Sequence, residues 1–280
     1  MNKHIRNYLD SLKLNNLHFK TAAYDFIFFI SVTLVFLIVT SVMQSKVTKI
    51  MGGKNAEQIQ SALISNPQSV MPLVREMTVY LIVALIIITL LLVGSFLAYS
   101  FVRAKIWNKI LNKKLTKKTY WKWNLMNLAL IIPTLGYGLF YLITKITYSL
   151  IISSFFKLFP FLYIKHPIFV EGLQLTLDGI FNFIMLLFLM TFIYFTYYSF
   201  TKNNKVWESI GNAFHLVKKY WSKLWRLLLL ATLTALVVTL IMWPLRNIFL
   251  LPELLMTTLN LIIAVIYLAW FRIYLVKTIS

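Results

Sequence analysis

Five ionisable residues lie inside or beside the long apolar runs of this 280-residue chain: Asp25, Lys145, Asp178, Arg246 and Glu253. A charge in hydrocarbon is costly, so such residues mark ion pathways, ligand counter-ions or structural pairs. Asp178 and Asn182 are one helical turn apart and share a face. Lys145 can pair with Asp178 between two apolar segments, and Arg246 with Glu253 across a short turn. All five fall near the ends of their runs, where side chains reach the interface cheaply, which favours structural pairs over a conduction path. Asn127, Asn182 and Asn260 are expected to hydrogen-bond between helices.

Other chemistry is sparse. There is no Cys, which excludes disulfides, thiol redox chemistry and Cys-ligated metals. The four histidines, His4, His18, His166 and His215, form no metal-ligand spacing. The acids form no catalytic pair, and there is no phosphate-binding Gly loop or Ser nucleophile elbow. No cofactor and no enzymatic activity are expected.

The remaining charge is basic, with a formal net charge of +20. The lysines flank apolar runs and do not sit on a polar domain, so anionic lipid headgroups are the expected partner and nucleic acid is not. They concentrate in two stretches, 105–121 and 205–221. At an offset of 100, seven of seventeen positions are identical: Lys105/Lys205, Trp107/Trp207, Ile110/Ile210, Asn112/Asn212, Lys118/Lys218, Tyr120/Tyr220 and Trp121/Trp221. In the second stretch Trp207, Ile210, Phe214, Val217, Trp221 and Leu224 recur at helical spacing as one apolar stripe. Each stretch is expected to be an amphipathic helix on a membrane surface, at 104–121 and 204–222. Lys105, Lys109, Lys113, Lys114, Lys117, Lys118, Lys205, Lys218, Lys219 and Lys223 are the headgroup candidates. Trp107, Trp121, Trp207 and Trp221 are the interfacial anchors. The alternative is that the lysines only set topology.

These residues need elements to position them. With 60% hydrophobic and 13% charged residues, the chain reads as all-α and polytopic, a single membrane domain over 1–280. Spans are expected at about 22–43, 78–102, 124–146, 175–200, 224–248 and 253–276. Residues 1–21 read as a basic interfacial segment, and 147–170 as a kinked extension, an interfacial helix or a re-entrant piece. Pro133 is expected to kink the third span. Six spans put 20 Lys and Arg on the side of both termini and both Trp-bearing connections, and 8 on the other. The positive-inside rule then places both termini in the cytoplasm of a cell membrane. Spans two and three with their surface helix match spans four and five with theirs, as parallel repeats.

The second stretch and the residues just beyond it, with Asn212, Ala213, Phe214, Leu216, Val217, Lys218, Lys219, Tyr220, Trp221, Leu224 and Trp225, resemble the membrane domain of bacterial and archaeal glycerophosphodiester phosphodiesterases and related uncharacterised membrane families. The first copy keeps Trp107, Asn112, Lys118, Tyr120 and Trp121, with lysines replacing Ala213 and Phe214. The resemblance implies a six-helix membrane module in envelope homeostasis or lipid handling. The soluble catalytic domain that gives that family its name has no counterpart here, so phosphodiesterase activity does not carry over. The leading expectation is a non-enzymatic module that engages anionic inner-leaflet lipids. A small-molecule or ion transporter, with a cavity lined by Lys145, Asp178, Asn182 and the Pro133 kink, and a membrane-embedded lipid enzyme remain open.

Overall fold

A computed structural model of the chain describes residues 3–13, 15–53, 56–65, 67–158, 167–247 and 252–279. The described elements are helices: α1 (Lys3–Leu12), α2 (Asn16–Met51), α3 (Ala56–Ser65), α4 (Pro67–Ile110), α5 (Lys117–Ala129), α6 (Ile131–Lys157), α7 (Pro167–Asn203), α8 (Val206–Lys219), α9 (Trp221–Asn247) and α10 (Glu253–Ile279). Among the described residues six segments are long and apolar enough to cross a membrane: Asn16–Met51, Val70–Ile110, Lys117–Lys157, Phe169–Asn203, Trp221–Pro244 and Leu255–Ile279. Leu85, Leu90, Leu139, Leu175 and Leu240 point outward along them, as a lipid-facing surface requires. The protein is therefore a multi-pass helical membrane protein.

Prolines mark several helix starts. Pro67 and Pro167 open α4 and α7, where the missing N–H is an orphan in any case. Pro133 lies in the first turn of α6, just past a break inside the third span, Lys117–Lys157, so the expected kink takes the form of a helix break. The ring cannot donate to the carbonyl four residues back, and the break falls at Leu130, between α5 and α6. The segment 147–170 also resolves in part. Residues up to Lys157 continue α6 and residues from Pro167 begin α7, while 159–166 lie outside the described residues.

The chain forms two compact units, Ala23–Arg103 and Met1–Ala22 with Ala104–Ser280. In the first, α2 and α4 run antiparallel. Tyr80 donates a hydrogen bond to the Met43 carbonyl at 2.8 Å, and the Phe28 and Tyr99 rings lie 5.9 Å apart. At the far end the Arg103 guanidinium is ion-paired with the fully buried Asp25 and sits 4.9 Å from the Tyr99 ring centroid.

In the second unit α7 is the central helix, packed against α6, α8, α9 and α10. Its core is aromatic. The Tyr197 ring stands 6.0 Å from Trp107 and 5.3 Å from Trp123, Trp123 meets Phe200 edge-on at 4.9 Å, and Tyr194 meets Phe271 at 5.9 Å. The basic N-terminal segment expected to float at the interface contains α1, which docks on α10. Trp270 Nε1 donates to Ser11 Oγ at 3.1 Å, Lys277 Nζ donates to the Asp10 carbonyl at 3.1 Å, and Tyr8 bonds Thr234 of α9 at 2.8 Å.

A structural echo links α4–α5–α6 to α7–α8–α9. In each, a long helix ends at a left-handed Asn, a short helix of 13 or 14 residues follows, and a one-residue break leads into a helix of 27 residues. Asn112 (φ 52°) closes α4, with Lys113 N–H reaching back to the Asn108 carbonyl at 2.8 Å. Asn204 (φ 56°) closes α7, with its own N–H on the Phe200 carbonyl at 2.8 Å. Asn tolerates this conformation better than residues without a short polar side chain. Replacing Asn204 by Ala is expected to destabilise the protein by about 1 kcal/mol, whereas Asn204→Gly leaves thermal unfolding in detergent unchanged or raises its midpoint.

Candidate functional site

The first basic stretch is not one surface helix over 104–121. Residues 104–110 are the end of α4, a connection follows, and α5 starts at Lys117 with the Thr116 side chain capping Thr119 N–H. Trp107 is accordingly not an interfacial anchor. It is 0% exposed, with its ring 5.7 Å from Tyr194 and 6.0 Å from Tyr197 of α7. Its sequence partner Trp207 lies in α8 and is 64% exposed, so the 100-residue register pairs residues in different environments.

The short helix α8 has two faces. Val206, Ser209 and Ala213 are buried at spacings of three and four. These small residues let α8 pack closely on α7, where Asn212 Nδ2 donates to Ser199 Oγ at 3.2 Å and Ser209 Oγ donates to Asn203 Oδ1 at 2.9 Å. The large residues of the expected stripe lie along the edge of this face, with the Phe214 ring 4.7 Å from Phe192 and the Trp221 ring 6.1 Å from Phe188, both on α7. Trp207, Phe214 (59% exposed), Trp221 and Trp225 are outward, and Leu224 alone of that stripe is buried. Lys205, Lys218 and Lys219 flank this face in exposed positions, and Lys223 is half-buried. The Glu208 carboxylate, 2.7 Å from Lys205 Nζ, holds that ammonium above its ordinary pKa. In α5 the pattern is similar: Trp123, Asn124, Met126 and Asn127 turn inward, while Trp121, Leu125 and Leu128 turn outward beside Lys117, Lys118 and Lys122.

Lys113 has a different job from the one its charge suggests. Its Nζ donates to the Lys202 carbonyl at 2.9 Å, and Lys122 Nζ donates to the Asn204 carbonyl at 3.2 Å. Both satisfy orphan carbonyls at the C-terminus of α7, where the helix dipole favours a cation. They fasten the α4–α5 connection and α5 to the end of α7. Lys105, Lys109, Lys114, Lys117 and Lys118 are exposed.

Lys145 and Asp178 meet between α6 and α7, with Nζ 3.0 Å from Oδ2. Asn182 accepts a hydrogen bond from Tyr141 at 3.0 Å, and Tyr137 donates to the Met185 carbonyl at 2.6 Å. The Lys145 ammonium also lies 5.3 Å from the Tyr148 ring and 5.5 Å from Phe181, which stack on each other at 4.3 Å. Tyr137, Tyr141, Lys145 and Tyr148 therefore form one polar-aromatic stripe on α6. Its spacing of four, four and three was available in the sequence. Beside it a cavity of about 330 Å³ is lined by Thr134, Tyr137, Gly138, Tyr141 and Asn182. The Arg246–Glu253 pairing lies outside the described residues, because the Arg246 side chain is not among them.

Two of the three intramembrane asparagines bond as expected, with Asn127 Oδ1 accepting from Tyr197 at 2.6 Å and Asn182 as above. Among the described residues no group of three or more His, Asp or Glu could hold a metal ion. No protein-family model, curated protein or solved structure matches this chain.

Removing one member of an intramembrane ion pair leaves its partner uncompensated, whereas removing both does not. Lys145→Met is expected to lower the unfolding midpoint in detergent, and the double variant Lys145→Met/Asp178→Leu to recover most of the loss. Equal losses in the two would show that the pair contributes nothing.

Proposed function

We propose that this chain is a non-enzymatic module of the cell membrane, with both termini in the cytoplasm, whose α4–α5 connection, α5 and α8 bind anionic lipids of the inner leaflet. The observation that carries this reading is the division of α8 into a small-residue face against α7 and an outward Trp207–Phe214 face bordered by lysines. An exposed aromatic stripe beside exposed cations matches an interface with hydrocarbon on one side and phosphate on the other. Trp121, Trp221 and Trp225 extend the aromatic band, and Lys109, Lys114, Lys117 and Lys118 extend the cationic one. The excess of Lys and Arg on this side supports the cytoplasmic orientation. The resemblance to the membrane domain of glycerophosphodiester phosphodiesterases points to the same class of role, in envelope or lipid handling.

A second reading, a small-molecule or ion transporter, draws on the α6–α7 stripe. The Lys145–Asp178 pair and the neighbouring cavity supply polar groups between two spans. Uptake of a tracer ion or solute into vesicles holding the protein, abolished in Asp178→Asn, would favour this reading over the first.

Each surface lysine near an anionic leaflet contributes about 1 kcal/mol, or roughly fivefold in affinity. Replacing Lys109, Lys114, Lys117 and Lys118 by Gln is expected to weaken binding of phosphatidylglycerol, titrated into protein in phosphatidylcholine nanodiscs, by well over tenfold with the unfolding midpoint unchanged. Lys113→Gln/Lys122→Gln is expected to lower that midpoint and to change lipid affinity less, because these two lysines cap α7. Unchanged affinity in the fourfold variant would remove the lipid assignment.

A further inference from the structure

We infer that α7, α9 and α10 form a binding groove for one acyl chain of an ester-linked glycerolipid, drawn from the leaflet at the end marked by Trp243 and Met256. This site is separate from the basic connections and does not depend on them.

A cavity of about 750 Å³ lies between these three helices, with Leu187, Met242, Met256 and Ile263 among its walls. A second cavity of about 360 Å³ adjoins it and shares Val238, Met242, Ile263 and Tyr267. The second one reaches Trp270 and Leu12 of the docked α1. From Met256 to Trp270 the groove follows α10 for about 21 Å, at 1.5 Å per residue. One leaflet of hydrocarbon is about 15 Å deep, half of a core of roughly 30 Å, so the groove accommodates the full depth of a single chain.

Asn260 fixes the chemistry of the other end. It lines the larger cavity and, among the described residues, has no hydrogen-bond partner. The neighbouring polar groups of the wall are occupied: Thr239 Oγ1 donates to the Ala235 carbonyl at 2.9 Å and Tyr267 to the Ala231 carbonyl at 3.0 Å. An amide facing hydrocarbon without a partner costs free energy, so its occupant must supply hydrogen-bonding atoms. Among the described residues no charged side chain lines either cavity. Asn260 lies about 10 Å along α10 from Glu253, a residue that belongs in the headgroup layer. That is the level at which the ester carbonyls of a glycerolipid meet the hydrocarbon boundary. An ester carbonyl accepts from the Asn260 amide, the headgroup continues outward past Trp243, and the chain descends between α9 and α10.

The test uses the full chain in phosphatidylcholine vesicles containing a trace of phosphatidylcholine with a photoreactive diazirine on one acyl chain. After irradiation the labelled peptides are mapped. Labelling is expected to concentrate on Val238, Met242 and Ile263, well above Leu233 and Leu240, which face outward on α9. Ala264→Trp fills the larger cavity and should abolish the excess while leaving label on Leu233 and Leu240. Groove labelling no higher than at Leu240, or unchanged in folded Ala264→Trp, would overturn the groove. Competition with unlabelled lipid then tests Asn260 whether or not the Trp variant folds. As the unlabelled host of the vesicles, ester-linked phosphatidylcholine should suppress groove labelling by the trace probe about fivefold more than its ether-linked counterpart, by the worth of one hydrogen bond, and Asn260→Leu should erase the difference. No ester preference in the wild type, or one that survives Asn260→Leu, would overturn the role of Asn260.

Discussion

Hydrocarbon offers no hydrogen-bond partners, and that constraint organises the whole molecule. Backbone groups are satisfied by helices, and where a helix must end the chain provides substitutes. Asn112 and Asn204 adopt the left-handed conformation that closes α4 and α7, and the ammonium groups of Lys113 and Lys122 cover the last carbonyls of α7. The same demand governs side chains. Asp25 is held by Arg103, Asp178 by Lys145, Asn127 by Tyr197 and Asn182 by Tyr141. Asn260, which faces a cavity, and the buried Asn124 have no such partner among the described residues.

The short helices translate the constraint into a surface. A helix beside the end of a bundle must satisfy both a protein neighbour and whatever lies outside. In α8 the neighbour takes Val206, Ser209 and Ala213, because small side chains permit close approach to α7. The bulky apolar residues are then left outward, where water would be an unfavourable medium for them. Combined with flanking lysines, this yields a face whose chemistry changes from apolar to cationic, the profile of a lipid headgroup region in mirror image.

Much of this was legible in the sequence. Six spans emerge from the lengths of the apolar runs, and the Lys145–Asp178 meeting from two complementary charges stranded in adjacent runs. Other features were not legible, for physical reasons. Composition could not tell that Trp107 would be buried, since Trp serves equally as core filler and as interfacial anchor. Matching by residue identity set the repeat at 100, whereas the paired Asn turns and the helix breaks at Leu130 and Tyr220 recur at about 90. Side chains that look alike were reused on different elements, while turns of equal geometry were built from dissimilar surroundings. Charge alone marks Lys113 as lipid-facing, whereas its carbonyl partner on α7 is 89 residues away in sequence.

The most direct measurement is native mass spectrometry of the intact protein released from its own membrane, with every retained lipid identified. Binding of anionic lipid by the basic connections requires a phosphate-bearing anionic lipid retained at fixed stoichiometry and enriched over its share of that membrane. Retention of neutral and anionic lipids merely in proportion to their abundance would contradict it and leave these lysines as determinants of topology.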